Sequence, residues 1–236
     1  MRYILIFSLF ILGCTTAQIQ QTLGEIDGVI NGGGLTESEV AGGLKDALSK
    51  GVKESSLEAG EVNGFLDRPE IRIPFPDDVE KVESRLRQLG LGKEVDRFVE
   101  SMNHGAEKAA SRAVPIFERA VREMTVQDAW SILRGADNAA TLYLEDKTSD
   151  ALFEAFQPVV KESLDEVNAT KYYGDIINTY NKIPLVEKVD PDLDAYVTQR
   201  AMDGLFLLVA REEKNIRDNP IERTTELMKR VFRAQD

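Results

Sequence analysis

A chain of 236 residues that is 42% hydrophobic and 30% charged can bury a sizeable core, which excludes wholesale disorder. Its formal charge of −12 opposes binding to a nucleic-acid backbone or, by the folded surface, to anionic lipid headgroups, so no nucleic-acid partner is expected. A single cysteine, Cys14, excludes an internal disulfide and every CxxC zinc or redox motif.

The apolar run Tyr3–Leu12 is too short to span a bilayer, which needs about 20 such residues, and fits the hydrophobic part of a secretory signal. Gly13 and Cys14 at its end resemble the lipobox of bacterial lipoproteins, in which the cysteine is diacylated, the leader is cut before it and the new amino terminus is acylated. Residues 1–13 are therefore expected to be a lipoprotein signal peptide, with Cys14 the lipidated residue. Losing the leader's one charge, Arg2, takes the mature chain to −13. Attachment to a membrane then falls to the acyl chains. Thr15, which is not aspartate, resembles the signal for outer-membrane sorting, so the expected location is the cell envelope, on an outer-membrane lipoprotein facing the periplasm. The alternative is cleavage after Ala17 and a soluble periplasmic or secreted protein.

Residues 14–35 are rich in Gln, Thr and Gly and read as a flexible tether. Gly32-Gly33-Gly34 is no phosphate loop, since no Gly-Lys-Ser/Thr follows. Residues 36–236 read as one helical domain. Thr36 and Glu39 form a capping box, and Val40, Leu44, Leu48 and Val52 follow at helical spacing. Gly42 and Gly43 make this helix weak, or mark a close approach by another backbone. Near residues 65–75 the period changes to two: Ile71, Ile73 and Phe75 alternate with Arg72 and Pro74. Pro69, Pro74 and Pro76 forbid a central strand, so a short extended arm or very short hairpin is predicted, apolar residues inward.

From Asp77 and Asp78, which suit a helix start, helices are predicted almost to the end. One stops near Gly90. The next begins near Lys93, carries an apolar stripe to Met124 and is bent or divided by Pro115. Thr125 and Asp128 cap a short helix closed by Gly135. Asp137–Glu145 reads as a separate short helix, and Thr148 or Ser149 as the cap of a longer one. Lys171–Asn181 is short and tyrosine-rich. Asp190-Pro191 starts the predicted central helix, Asp190–Arg217, apolar on all sides around Leu205–Ala210, and an amphipathic helix follows Pro220. The fold class is all-α, a single multi-helix bundle.

Several of these segments carry a resemblance. Ile71-Arg72-Ile73-Pro74, Leu89-Gly90-Leu91-Gly92, Ser101-Met102-Asn103, Ala136–Thr141, Lys147-Thr148-Ser149-Asp150, Asp203-Gly204-Leu205-Phe206 and Asn219-Pro220 resemble, in order and spacing, the bacterial family labelled domain of unknown function 4197. The resemblance runs from about Leu35 to Phe232. It implies an exported, mostly helical protein, often with a lipoprotein leader, and brings no catalytic residue with it.

No catalytic set stands out, and no cofactor is expected. His104 is the only histidine. With Glu100 and Glu107 it shares one helix face, but a di-metal bundle needs Glu-x-x-His twice, so no metal is expected. Asp190, Asp192 and Asp194 fail the calcium-loop pattern, with Ala195 and Ala201 where Gly and Glu belong. The best polar cluster is Arg134, Asp137, Asn138 and Thr141, among small residues at a helix break. Asn103 and Glu107 are expected to face it across an interhelical groove. A plain Arg–Asp pair and N-cap bonds account for the same residues. Tyr172, Tyr173, Tyr180 and Tyr196 read as core margin, or as the lining of a groove. The functional expectation is a non-enzymatic envelope binding module for a protein or other envelope component. A small-molecule or lipid carrier with a pocket near Arg134–Thr141 is the alternative, and a carboxylate-dependent enzyme comes third.

Overall fold

Thr36 opens the first helix as its capping box predicts: its hydroxyl accepts the Glu39 N–H at 3.2 Å, and the Glu39 carboxylate accepts the Thr36 N–H at 2.9 Å. The computed structural model of the chain describes residues 34–76, 80–182, 185, 188–190 and 192–233, with residues 179 and 180 described by backbone alone. The expected signal peptide, Cys14, most of the tether, Asp77, Asp78 and Pro191 lie outside the described residues. The described residues form an all-α fold: α1 (Glu37–Gly60), α2 (Glu80–Gln88), α3 (Gly92–Ala110), α4 (Ala113–Glu123), α5 (Val126–Leu133), α6 (Ala139–Glu166), α7 (Ala169–Tyr180), α8 (Leu193–Asp218) and α9 (Glu226–Arg233), with a 3-10 turn at Pro220–Glu222.

Helix α8 is the middle of the bundle and packs against α1, α3 and α6. Val197, Ala201, Leu205 and Leu208 are buried along it. Its apolar run is not covered all round, because Leu207 is 48% exposed. The cap also differs from the expected Asp190. Asp192 accepts the Ala195 N–H at 3.0 Å, while Asp190 accepts the Asp192 N–H at 2.9 Å and shapes the turn before it. On α1, Gly43 admits α9: a Cβ there would lie 2.7 Å from Val231 Cγ2 and 3.0 Å from the Leu227 carbonyl. The glycine pair is thus a site of close approach, as one of its two readings expects.

Two predicted boundaries move. The stripe from Lys93 breaks at Ser111–Arg112, between α3 and α4, rather than at Pro115. Pro115 falls in the first turn of α4, where its missing N–H has no intrahelical partner to lose. The predicted short helix and its longer neighbour fuse into α6. Thr148 does not cap; its hydroxyl donates to the Leu144 carbonyl at 2.6 Å within the helix. Ala140, Leu144, Thr148, Leu152, Phe156, Val160 and Leu164, each four residues from the last, are all buried. One continuous stripe overrides the local cap signal.

Among the described residues the arm between α1 and α2 contains no strand, and it is not extended throughout. Residues 62–71 are mostly turns, with the Asp67 N–H donating to the Asn63 carbonyl at 3.1 Å and the Arg72 N–H to the Arg68 carbonyl at 2.8 Å. Only the stretch after Ile71 is extended, and there the alternation is as predicted. Phe65, Ile71, Ile73 and Phe75 are buried and Arg72 is exposed. Gly204 on α8 is what lets the arm lie so close. A Cβ there would lie 2.7 Å from Phe65 Cε1 and 3.1 Å from Ile71 Cβ.

Candidate functional site

An arm of turns and a short extended end has no ladder, so the buried backbone groups that its own turns leave unpaired need side-chain partners. Helix α3 supplies them. The Asn103 amide accepts the Ile73 N–H at 2.9 Å and donates to the Ile73 carbonyl at 2.9 Å, pairing with the arm as a neighbouring strand would. One turn on, Glu107 Oε1 accepts the Phe65 N–H at 3.1 Å and the Leu66 N–H at 3.3 Å. Its Oε2 lies 2.8 Å from His104 Nδ1. Three segments that carry the family resemblance meet here: the arm, Asn103 and Gly204.

The other expected residues sit at a second junction. The first N–H groups of α6 are orphaned by helix geometry, and Asn138 at the N-cap makes no side-chain bond to them. Glu213 of α8 caps them instead. It accepts the Ala140 N–H at 3.0 Å, the Thr141 N–H at 2.9 Å and the Thr141 hydroxyl at 2.8 Å. Arg217 donates to Glu213 at 2.8 Å and to the Ile132 carbonyl at 3.0 Å. Asp137 is exposed beside Lys214, and Arg134 lies over the Trp130 ring rather than on Asp137. The cavity beside Ala140, Glu213 and Arg217 holds about 20 Å³, room for about one water.

The expectation that Asn103 and Glu107 face Arg134–Thr141 is corrected by the run of α6. Gly105 lies against Val160 and Ser163 of that helix. Thr141 is nineteen residues earlier, about 28 Å along the axis at 1.5 Å per residue. The six residues therefore divide between two junctions at opposite ends of α6.

A groove of about 850 Å³ opens at the Ser163 end, between the arm, α2, α3 and α7. Its floor is apolar and aromatic. Phe75 and Phe98 pack with ring centroids 5.1 Å apart, and Phe98 stacks on Tyr173 at 6.2 Å. Val95 and Ile176 extend this surface, and Leu86 and Leu91 edge it. Its polar residues gather where α3 passes the end of α6: Ser101, His104 and Lys108 on one side, Ser163 and Glu166 on the other. Lys108 and Glu166 pair across it at 3.6 Å. The remaining rim charges, Glu94, Arg97 and Glu100, are exposed and of both signs. No group of His, Cys, Asp or Glu among the described residues has the geometry to hold a metal ion. No described helix is long and apolar enough to cross a membrane.

A family model described as a protein of unknown function, DUF4197, matches residues 34–233. The chain belongs to this family. The matched span takes in the arm, both carboxylate junctions and every helix that lines the groove, so each is part of the DUF4197 domain. No curated protein and no solved structure matches the chain.

Sequence reasoning named Tyr172 and Tyr173, and both line the groove of this DUF4197 domain, the first 60% exposed and the second buried under it. It missed Phe98, Ile176 and Ser163. Phe98 lies on the apolar stripe of α3 and reads as core. A signal was present in Glu107, an acidic residue on the buried side of α3, which had to meet donors from elsewhere.

Proposed function

We propose that this protein is a cell-envelope lipoprotein, attached through Cys14, whose helical domain binds an apolar small molecule in the groove between α2, α3 and α7. The observation that carries the binding reading is the groove itself. A volume of about 850 Å³ falls in the range of small-molecule sites, roughly 300–1,000 Å³. An aromatic floor with a few polar groups gathered at one end is the usual build of such sites. The Arg134–Thr141 region offers no comparable space, so the carrier reading moves to the other end of α6. Attachment by acyl chains is supported by the run Tyr3–Leu12 ahead of Gly13-Cys14 and by a surface too acidic to favour anionic lipid.

The test of binding is titration of the mature protein with a neutral fluorescent naphthylamine, against a variant that fills the groove. Ile176→Trp should weaken probe binding tenfold or more, with the melting temperature unchanged. Equal binding by the variant overturns the reading. Attachment is tested separately: labelled palmitate should be incorporated by the wild type and not by Cys14→Ser, and absence of label in both overturns it.

A further inference from the structure

Among the described residues, four buried hydroxyls, those of Ser55, Ser56, Ser163 and Thr198, have no hydrogen-bond partner, and of these Ser163 lines the groove. It is 4% exposed, deep enough that an unmade hydrogen bond has a cost. Across the groove wall stands His104, whose side chain is 43% exposed. Its Nδ1 faces Glu107 Oε2 at 2.8 Å, and a carboxylate can only accept. The hydrogen-bond network thus assigns the ring hydrogen to Nδ1 and leaves Nε2, in the neutral ring, as an acceptor. Oε1 of the same carboxylate, held by the Phe65 and Leu66 N–H groups, keeps this orientation fixed. The polar end of the groove therefore offers an acceptor at its surface and an unpaired hydroxyl buried in the wall just beneath it.

We propose that the guest is a single-chain amphiphile with an uncharged, hydroxyl-bearing head. The head donates a hydrogen bond to His104 Nε2 and pairs with Ser163 Oγ, and the chain lies on Phe98, Tyr173 and Ile176. The proposal rests on the groove being a binding site and adds the chemistry of what it takes. A carboxylate head has no hydrogen for Nε2 and would approach the buried Glu107. A cationic head beside Ser163 would lose its water without gaining a buried counter-ion, since Glu166 is paired with Lys108, both oxygens of Glu107 are taken, and Glu94 and Glu100 stand exposed on the rim. A hydroxyl head meets neither obstacle.

Displacement of the naphthylamine probe from the mature protein tests this, with three competitors of one chain length: a 1-monoacylglycerol, the fatty acid and the alkyl trimethylammonium. The monoacylglycerol should displace at the lowest concentration. Ser163→Ala should fold at least as well as the wild type, because it removes an unpaired buried hydroxyl, and should weaken the monoacylglycerol roughly two- to ten-fold relative to the probe, whose affinity is measured directly on each variant. His104→Phe, which keeps a ring without the acceptor, should do the same. If the fatty acid or the ammonium competes as well as the monoacylglycerol, or Ser163→Ala leaves the order and strength of competition unchanged, the head-group proposal falls and the groove reading stands. If the wild type binds no probe, both fall.

Discussion

The two ends of α6 solve opposite problems. At its start, orphaned N–H groups are gathered by Glu213, which Arg217 holds in turn, and space for about one water is left. At its end, Ser163 and Glu166 edge an open groove whose floor is Phe98, Tyr173 and Ile176. The polar, small-residue cluster that stands out in the sequence is the closed end. The difference teaches that a dense polar run next to a helix break can mark where a fold is tied down. An opening can be lined by residues that look like core, because an apolar guest and an apolar neighbour want the same surface.

The comparison is broken most forcefully at the closed end. Glu213→Ala strands the Arg217 guanidinium, whose side chain is 14% exposed, together with the Ala140 and Thr141 N–H groups. Removing one partner of a buried pair should cost about 3–5 kcal/mol. Urea denaturation should show a lower midpoint at unchanged slope, while the folded fraction keeps its probe affinity. A loss under 1 kcal/mol would mean that Glu213 is not the tie described. Glu107→Ala should cost less, about 1–3 kcal/mol for the two stranded arm N–H groups, since no arginine is left behind. It should also weaken probe binding, because the arm carries Phe75 into the groove. Stability lost without binding lost would separate the arm from the groove and remove half of the contrast.

Legibility follows the same division. The capping boxes at Thr36 and Thr125, the α1 stripe and the alternation of the arm were readable because each is a local pattern with one physical solution. The split of α6 was misread because Thr148 offers a cap and a back-bond with the same hydroxyl, and only the stripe from Ala140 to Leu164 decides between them. Asn103 and Glu107 were readable as polar residues in an apolar helix face, but not their partners. Their bonds reach 30 and 42 residues back along the chain, to backbone groups that no side-chain pattern announces. The groove was least legible, because it is the space left when α2 and α7 pack on α3.

A smaller effect sharpens the comparison from α8. Gly204→Ala places a methyl 2.7 Å from Phe65 Cε1 and 3.1 Å from Ile71 Cβ, so the arm must shift. Overpacking of this kind costs about 1–3 kcal/mol, here expected near the lower bound because one methyl is added. Hydrogen exchange should report the strain as faster exchange at the Phe65, Leu66 and Ile73 amides, with the Ala140 and Thr141 amides unchanged. Equal change at both sets would show one cooperative tie rather than two independent ones.

The smallest effect is the response of the two capping boxes to acid. In the fold the Thr36 N–H, the Thr36 hydroxyl and Arg230 hold the Glu39 carboxyl below its ordinary 4.5. The Thr125 hydroxyl and N–H, aided by Lys147, hold Asp128 below its ordinary 3.8. A carboxyl whose folded value is depressed binds its proton more readily when unfolded, so its stabilisation is complete above the ordinary value and is lost as pH falls toward the folded one. Stability should therefore be level in these two residues' contribution from pH 7 to about 5 and decline below about 4.5, Glu39 first and Asp128 after it. Glu39→Gln with Asp128→Asn should start slightly less stable at pH 7 and lose less on acidification, so that the melting curves of variant and wild type converge toward pH 3. Parallel curves over that range would mean that neither carboxylate is stabilised by its cap. Helix starts at α1 and α5 would then rest on packing alone, as the start of α6 would without Glu213.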